Sequence, residues 1–87
     1  MKLSQKAIVI IGGTSGIGLS AAKALAKEGA NLVLVGIDEE NCKKAKEELP
    51  ENPKIICGDA RREGIAKSAI ETCINQFGGF NGLYHVA

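Results

Sequence analysis

The sequence predicts an α/β fold in which helices cover both faces of a parallel sheet, in the order βαβαβαβ. Two observations carry this. Short, β-rich apolar runs alternate with stretches whose apolar residues recur at helical spacing, and a glycine-rich turn joins the first run to the first helix. Strands separated in this way by helices pair in parallel through right-handed crossovers.

Ala7-Ile-Val-Ile-Ile11 is a continuous apolar run ended by glycine, as suits a strand buried on both faces. From Gly16 the period changes. Ile17, Ala21, Ala24 and Leu25 recur at helical spacing, and Gly29 supplies the stop. Asn31-Leu-Val-Leu-Val35 is the second strand. Asp38 is a candidate cap for the second helix, and Glu39 and Glu40 complement its N-terminal dipole. Its apolar stripe is Cys42, Ala45 and Leu49, its other face is Lys and Glu, and Pro50 and Pro53 break it. Lys54-Ile-Ile-Cys57 reads as the third strand. Ile65, Ala66, Ala69, Ile70, Cys73, Ile74 and Phe77 mark a broader helical stripe ended by Gly78-Gly79, and Gly82 to Val86 is the fourth strand. No internal repeat, low-complexity tract or linker divides the chain, so it reads as one domain.

Composition excludes several classes of function. With 45% hydrophobic and 24% charged residues the chain is an ordinary globular sequence. A net charge of +1 gives no electrostatic case for nucleic acid or an anionic membrane. The longest apolar run, Ala7 to Ile11, is far short of the roughly 20 residues of a membrane span, and too short for a signal-peptide core. Cys42, Cys57 and Cys73 are odd in number and form no CxxC, which predicts reduced thiols in a cytoplasmic protein. Each sits among apolar neighbours and reads as a small buried hydrophobe rather than a nucleophile.

The Gly12-Gly13-Thr14-Ser15-Gly16-Ile17-Gly18 turn carries the chemistry. Its place, after a strand and opening a helix, is that of a dinucleotide phosphate loop. Gly12 lets the chain turn at the strand end, Gly16 removes a side chain where backbone must approach a pyrophosphate, and Gly18 lets the helix pack closely. Free N–H groups at the helix start then face the phosphates, and Thr14 and Ser15 add hydroxyl donors. No Gly-Lys-Ser/Thr follows, so a Walker-type loop is excluded. The bland alternative is a tight βα turn without a ligand. The fold expected around such a loop is one half of a Rossmann-type sheet, in three layers, with strand order 3-2-1-4 and reversal between strands 1 and 4.

The spacing Gly-x-x-x-Gly-x-Gly, followed by Leu19-Ser-Ala-Ala-Lys-Ala-Leu25, resembles the short-chain dehydrogenase/reductase family, and the resemblance spans the whole chain. It implies an Asp at the end of the third strand that contacts adenine, a place held by Asp59-Ala60. It also implies a Phe-Gly and then a strand running into Asn-Asn-Ala-Gly; Phe77-Gly78 and Leu83 to Ala87 stand there, with His85 and Val86 in place of the two asparagines. Ile11 replaces the usual Thr before the loop. The cofactor-binding set so implied is Gly12, Thr14, Ser15, Gly16, Ile17, Gly18, Ile37, Asp38, Asp59, Ala60 and Ala87. The family's catalytic Ser and Tyr-x-x-x-Lys belong further downstream. The 87 residues are therefore expected to be an N-terminal part, inactive alone, of an enzyme that transfers hydride between a nicotinamide cofactor and an alcohol or carbonyl substrate. Tyr84 is expected to be a packing residue, and His85 to be either structural or turned to the cofactor cleft.

An acid near the end of the second strand favours NAD, and a base there NADP. Asp38, twenty residues past Gly18, suits the acid, whereas Ile37 stands where the family's NADP-selecting Arg is usual. With no cation recognised there, the balance leans to NAD over NADP. Asp38 could equally be only a helix cap, and Asp59 only a cap for the Arg61-Arg62 turn. Two other functions stay open: a non-catalytic module that binds a dinucleotide and senses redox state, and a methyltransferase-like domain, against which the loop spacing argues. The expected partners are the dinucleotide and further copies of the chain, through the uncovered sheet face or the edge of strand four. No metal site is predicted.

Overall fold

The computed structural model describes residues 4–49, 53–62 and 64–86. The expected order is present: β1 (Ala7–Ile11), α1 (Gly16–Lys27), β2 (Asn31–Gly36), α2 (Glu39–Glu48), β3 (Lys54–Cys57), α3 (Ile65–Phe77) and β4 (Gly82–His85). All three pairings are parallel, and the four strands lie in the order β3-β2-β1-β4. Pro50 and Ala87 lie outside the described residues.

Strand alternation sorts the core into two layers. Ile10, Leu32 and Leu34 point to one face, where Ala22 and Ala26 of α1 and Ala45 and Leu49 beside α2 cover them. Ala7, Val9, Ile11, Val33 and Val35 point to the other, under Ala69 and Cys73 of α3. Side chains of period two feeding both layers explain why β1 and β2 read as unbroken apolar runs. Asn81 fixes the entry to β4: its N–H donates to the Ala7 carbonyl at 2.7 Å, and its side-chain oxygen accepts from the Ala7 N–H at 2.8 Å. Gly78 ends α3 at φ 79°, a left-handed C-terminus that glycine adopts without a Cβ penalty.

Three helix and strand expectations need correction. The buried residues of α1 are Gly18, Ala22 and Ala26, not the stripe of larger residues; Ile17 is 72% exposed and Ala24 is exposed. The fully buried positions of α1 are thus small ones, while Leu19 and Leu25 are half-buried at the margin of the same core. Ile74 of α3 is exposed, whereas Ala66, Ile70 and Phe77 of the same stripe pack on the core. Tyr84 is exposed too. It projects from an edge strand and, with Ile8, Ala21, Ala24 and Leu25, borders an open apolar groove rather than a packed core.

Ala22 is fully buried, so Ala22→Leu should destabilise the chain by about 1–3 kcal/mol. The exposed Ala24→Leu should stay within about 0.5 kcal/mol. Urea unfolding of both variants checks which face of α1 is inside, and equal losses would contradict the assignment.

Candidate functional site

Every strand is parallel, so the turns after β1, β2 and β3 and the end of β4 share one edge of the sheet. That edge gathers Gly12 to Gly18, Ile37 and Asp38, Asp59 and Ala60, and His85 and Val86.

The loop after β1 is built by steric exclusion. Gly12 turns at φ 85°, and its N–H and that of Gly13 both donate to the Val35 carbonyl, at 2.8 and 3.2 Å. A Cβ on Gly18 would lie 1.8 Å from the Gly12 carbonyl oxygen, which no side chain can meet. The start of α1 is thus seated directly on the loop backbone. Gly16 has φ +54° and open space beyond its Cα, so it shows bare backbone outward. Ser15 precedes the helix in extended conformation and caps nothing with its side chain, and the first turn holds no acid. The leading N–H groups of a helix have no partner within it. Here they combine with the helix dipole to favour an anion. A pyrophosphate fits this cradle: bare backbone where it would approach, uncapped donors at the helix start, and no carboxylate in the first turn to repel it.

Thr14 does not present a hydroxyl donor to that space. It is buried, and its Oγ1 lies where a Cβ on Gly36 would fall, 2.0 Å away. Gly36 therefore has a positional reason that was not legible in the sequence: it clears room under the loop for Thr14. Gly13 is similarly confined, against Ile10 and Leu34.

Beyond β2, Asp38 caps α2, its Oδ1 accepting from the N–H groups of Glu40 at 2.9 Å and Asn41 at 3.1 Å. The cap reading of Asp38 is thus observed, and its second carboxylate oxygen takes no part in it. Ile37 is exposed and, with Glu39, Gly58, Asp59, Arg62 and Ile65, lines a shallow depression between the β2 and β3 turns. Arg62 brings a cation to this edge, so charge there is not purely acidic.

Asp59 adopts the cap role as well. It accepts from the Arg61 N–H at 2.9 Å and holds the Arg61 guanidinium through Nε at 3.0 Å and Nη2 at 2.8 Å. The Arg61 side chain and then its N–H hold this carboxyl down to about 2, from an ordinary 3.8. The methyl group of Ala60 packs into the α3-side core, leaving its backbone at the edge. His85 is exposed opposite Ile11, and Val86 packs its carbonyl against Gly12.

The thiols divide. Cys42 and Cys73 are buried as expected, but Cys57 is exposed, since it ends an edge strand beyond the cover of α2. Burial pushes the Cys42 thiol up to about 11, and the neighbouring Cys57 thiol adds to this, while a hydrogen bond from Thr14 acts the other way.

With this geometry, the comparisons with known proteins are decisive. The family model described as short chain dehydrogenase matches residues 6–87. The chain belongs to the short-chain dehydrogenase family. Among relatives, it is 39% identical to the short chain dehydrogenase adrF of Penicillium roqueforti, covering 100% of this chain and 34% of that protein. It is 33% identical to ipsdienol dehydrogenase of Ips pini, over 100% of this chain and 33% of the relative. A solved short chain dehydrogenase of Bacillus anthracis superposes with a TM-score of 0.81 at 33% identity, over 91% of this chain and 34% of that one. A 3-ketoacyl-(acyl-carrier-protein) reductase of Brucella melitensis, complexed with NADH, gives 0.82 at 29% identity, over 92% and 33%. The chain thus spans about a third of the length of these dehydrogenases. Among the described residues, no helix is long and apolar enough to cross a membrane, and no cluster of His, Cys, Asp and Glu could hold a metal ion.

Because its folded-state titration is depressed, Asp59 adds stability above its ordinary titration range and loses it as pH falls from 3.8 toward 2. In Arg61→Ala the Asp59 carboxyl should titrate upward, toward but short of 3.8 because the N–H of residue 61 remains, followed by its carboxyl carbon signal in NMR. An unmoved titration would mean that Arg61 is not what holds it.

Proposed function

We propose that the chain is the dinucleotide-binding part of an NAD(P)-dependent oxidoreductase that transfers hydride between the cofactor and an alcohol or carbonyl substrate. The carrying observation is the bare, uncapped start of α1, seated on Gly12 through Gly18. The pyrophosphate lies over Gly12 to Gly18, received by the N–H groups around Ser15, Gly16 and Ile17. The Ser15 hydroxyl is the side-chain donor, and Thr14 acts by holding the loop from beneath. The adenosine half occupies the depression beside Ile37, where Asp59 and the backbone of Ala60 face the adenine. Asp38 receives the ribose hydroxyls with the oxygen not used in capping, which favours NAD over NADP several-fold in spite of Arg62 nearby. The family resemblance also assigns Ala87 to the cofactor-binding set. When bound, the cofactor supplies a nicotinamide ring that accepts or donates hydride.

This sequence carries no Tyr-x-x-x-Lys, and its one tyrosine, Tyr84, has no lysine after it. The 87-residue chain is therefore expected to bind without turning over. The exposed Leu83 and Tyr84 and the open edge of β4 also favour self-association, seen as a mass that rises with concentration in light scattering.

Calorimetric titration tests the assignment. NAD and ADP-ribose should bind with similar affinity, because the contacts named all lie on the ADP-ribose half. Gly16→Ala should unfold cooperatively, about 1 kcal/mol less stable for its left-handed backbone, yet bind ADP-ribose at least tenfold more weakly. Undiminished affinity in that variant would contradict the proposed cradle.

A further inference from the structure

The two thiols at the carboxyl end of β2 belong to different elements but one layer. Strand alternation sends Cys57 to the same face as Ile55, which packs with the α1 and α2 core. Cys42 is the first buried residue of α2 and lies over that face. Cys57 pairs in register with Gly36, and the Cys42 Sγ donates to the Gly36 carbonyl at 3.5 Å. The Cys57 Sγ donates to the next carbonyl, that of Ile37, at 3.8 Å. The two sulfurs thus reach consecutive carbonyls of one turn, which makes them neighbours. Cys73 sits on the opposite face of the sheet, in the α3 layer.

We propose that Cys42 and Cys57 are an oxidative modification site, closing to a reversible disulfide that weakens dinucleotide binding. The coupling to binding rests on the cofactor reading above; the disulfide does not. A low-molecular-weight disulfide is the oxidant. The exposed Cys57, as thiolate, attacks one of its sulfurs; the S–S bond breaks and one thiolate leaves. Cys42 then attacks the Cys57 sulfur of the mixed disulfide, its proton passing to the second departing thiolate. Two protein thiols are oxidised to one disulfide, and one small disulfide is reduced to two thiols.

The phosphate loop feels this through Thr14. Its side chain fills the space a Cβ on Gly36 would take, and the Gly36 carbonyl accepts from the Cys42 thiol. Drawing the Cys42 sulfur toward Cys57 removes the donor to the Gly36 carbonyl, beside which Thr14 is seated. It also pulls on the first turn of α2, whose cap is Asp38. Both Asp38 and the loop carried by Thr14 belong to the proposed cofactor site.

The 87-residue chain is treated with oxidised glutathione and read by intact mass and peptide mapping. The expected product has lost two hydrogens, links Cys42 to Cys57, leaves Cys73 free and reverts with dithiothreitol. Cys42→Ala should instead stop at a glutathione adduct on Cys57, and Cys57→Ser should give neither product. ADP-ribose should bind the oxidised chain at least tenfold more weakly than the same sample after reduction. A lasting adduct on Cys57 in the unaltered chain, or links through Cys73, would overturn the site. A Cys42–Cys57 disulfide with unchanged affinity would overturn the switch. If the reduced chain binds no ADP-ribose, the cofactor reading and the coupling fall together, while the mass still decides the disulfide.

Discussion

The contact between Gly18 and the carbonyl of Gly12 sets the rest of the structure. It brings the first turn of α1 onto the loop backbone, closer than any side chain allows. That approach seats the helix start beside β1, and the fully buried residues of α1 are the small Gly18, Ala22 and Ala26. It also aims the uncapped helix start at the edge where the turns after β1, β2 and β3 meet. The same feature that limits packing is therefore the one that makes an anion site. A helix packed further out by ordinary Leu and Ile contacts would gain apolar burial but lose this alignment of N–H groups.

Much of this was legible in the sequence because the signals are local. β1 and β2 are buried on both faces, so their apolar runs are unbroken and their bounds fall within a residue of the observed ones. Glycines at 12, 16 and 18 report turn, exposed backbone and close packing without reference to distant residues. Family membership, strand order and the α/β architecture all follow from that motif in its strand–helix context.

Legibility ended where the answer depends on a residue far away in the chain. Ile17, Ala21, Ala24 and Leu25 look like a core stripe, yet Ala22 and Ala26 take the buried centre, Leu25 keeps a place at its margin, and Ile17 and Ala24 face outward. The place of Gly36 depends on Thr14, from another loop. Thr14 itself looked like a ligand donor because hydroxyls in such a loop usually are, yet Gly36 gives it a place to bury. Asp38 and Asp59 were each read two ways, and the capping half of each reading is now observed. Cys57 looked buried because its sequence neighbours are apolar, whereas exposure at an edge strand is a property of the sheet.

The account stands on the claim that the start of α1 is a built anion site. Amide chemical-shift mapping of the isotopically labelled chain with ADP-ribose tests it most directly. The account predicts the largest shifts at the N–H groups of Gly13 through Gly18, with smaller ones at Ile37, Asp38 and Asp59. Shifts confined to the apolar groove beside Tyr84, or a spectrum that does not respond at saturating ligand, would contradict it.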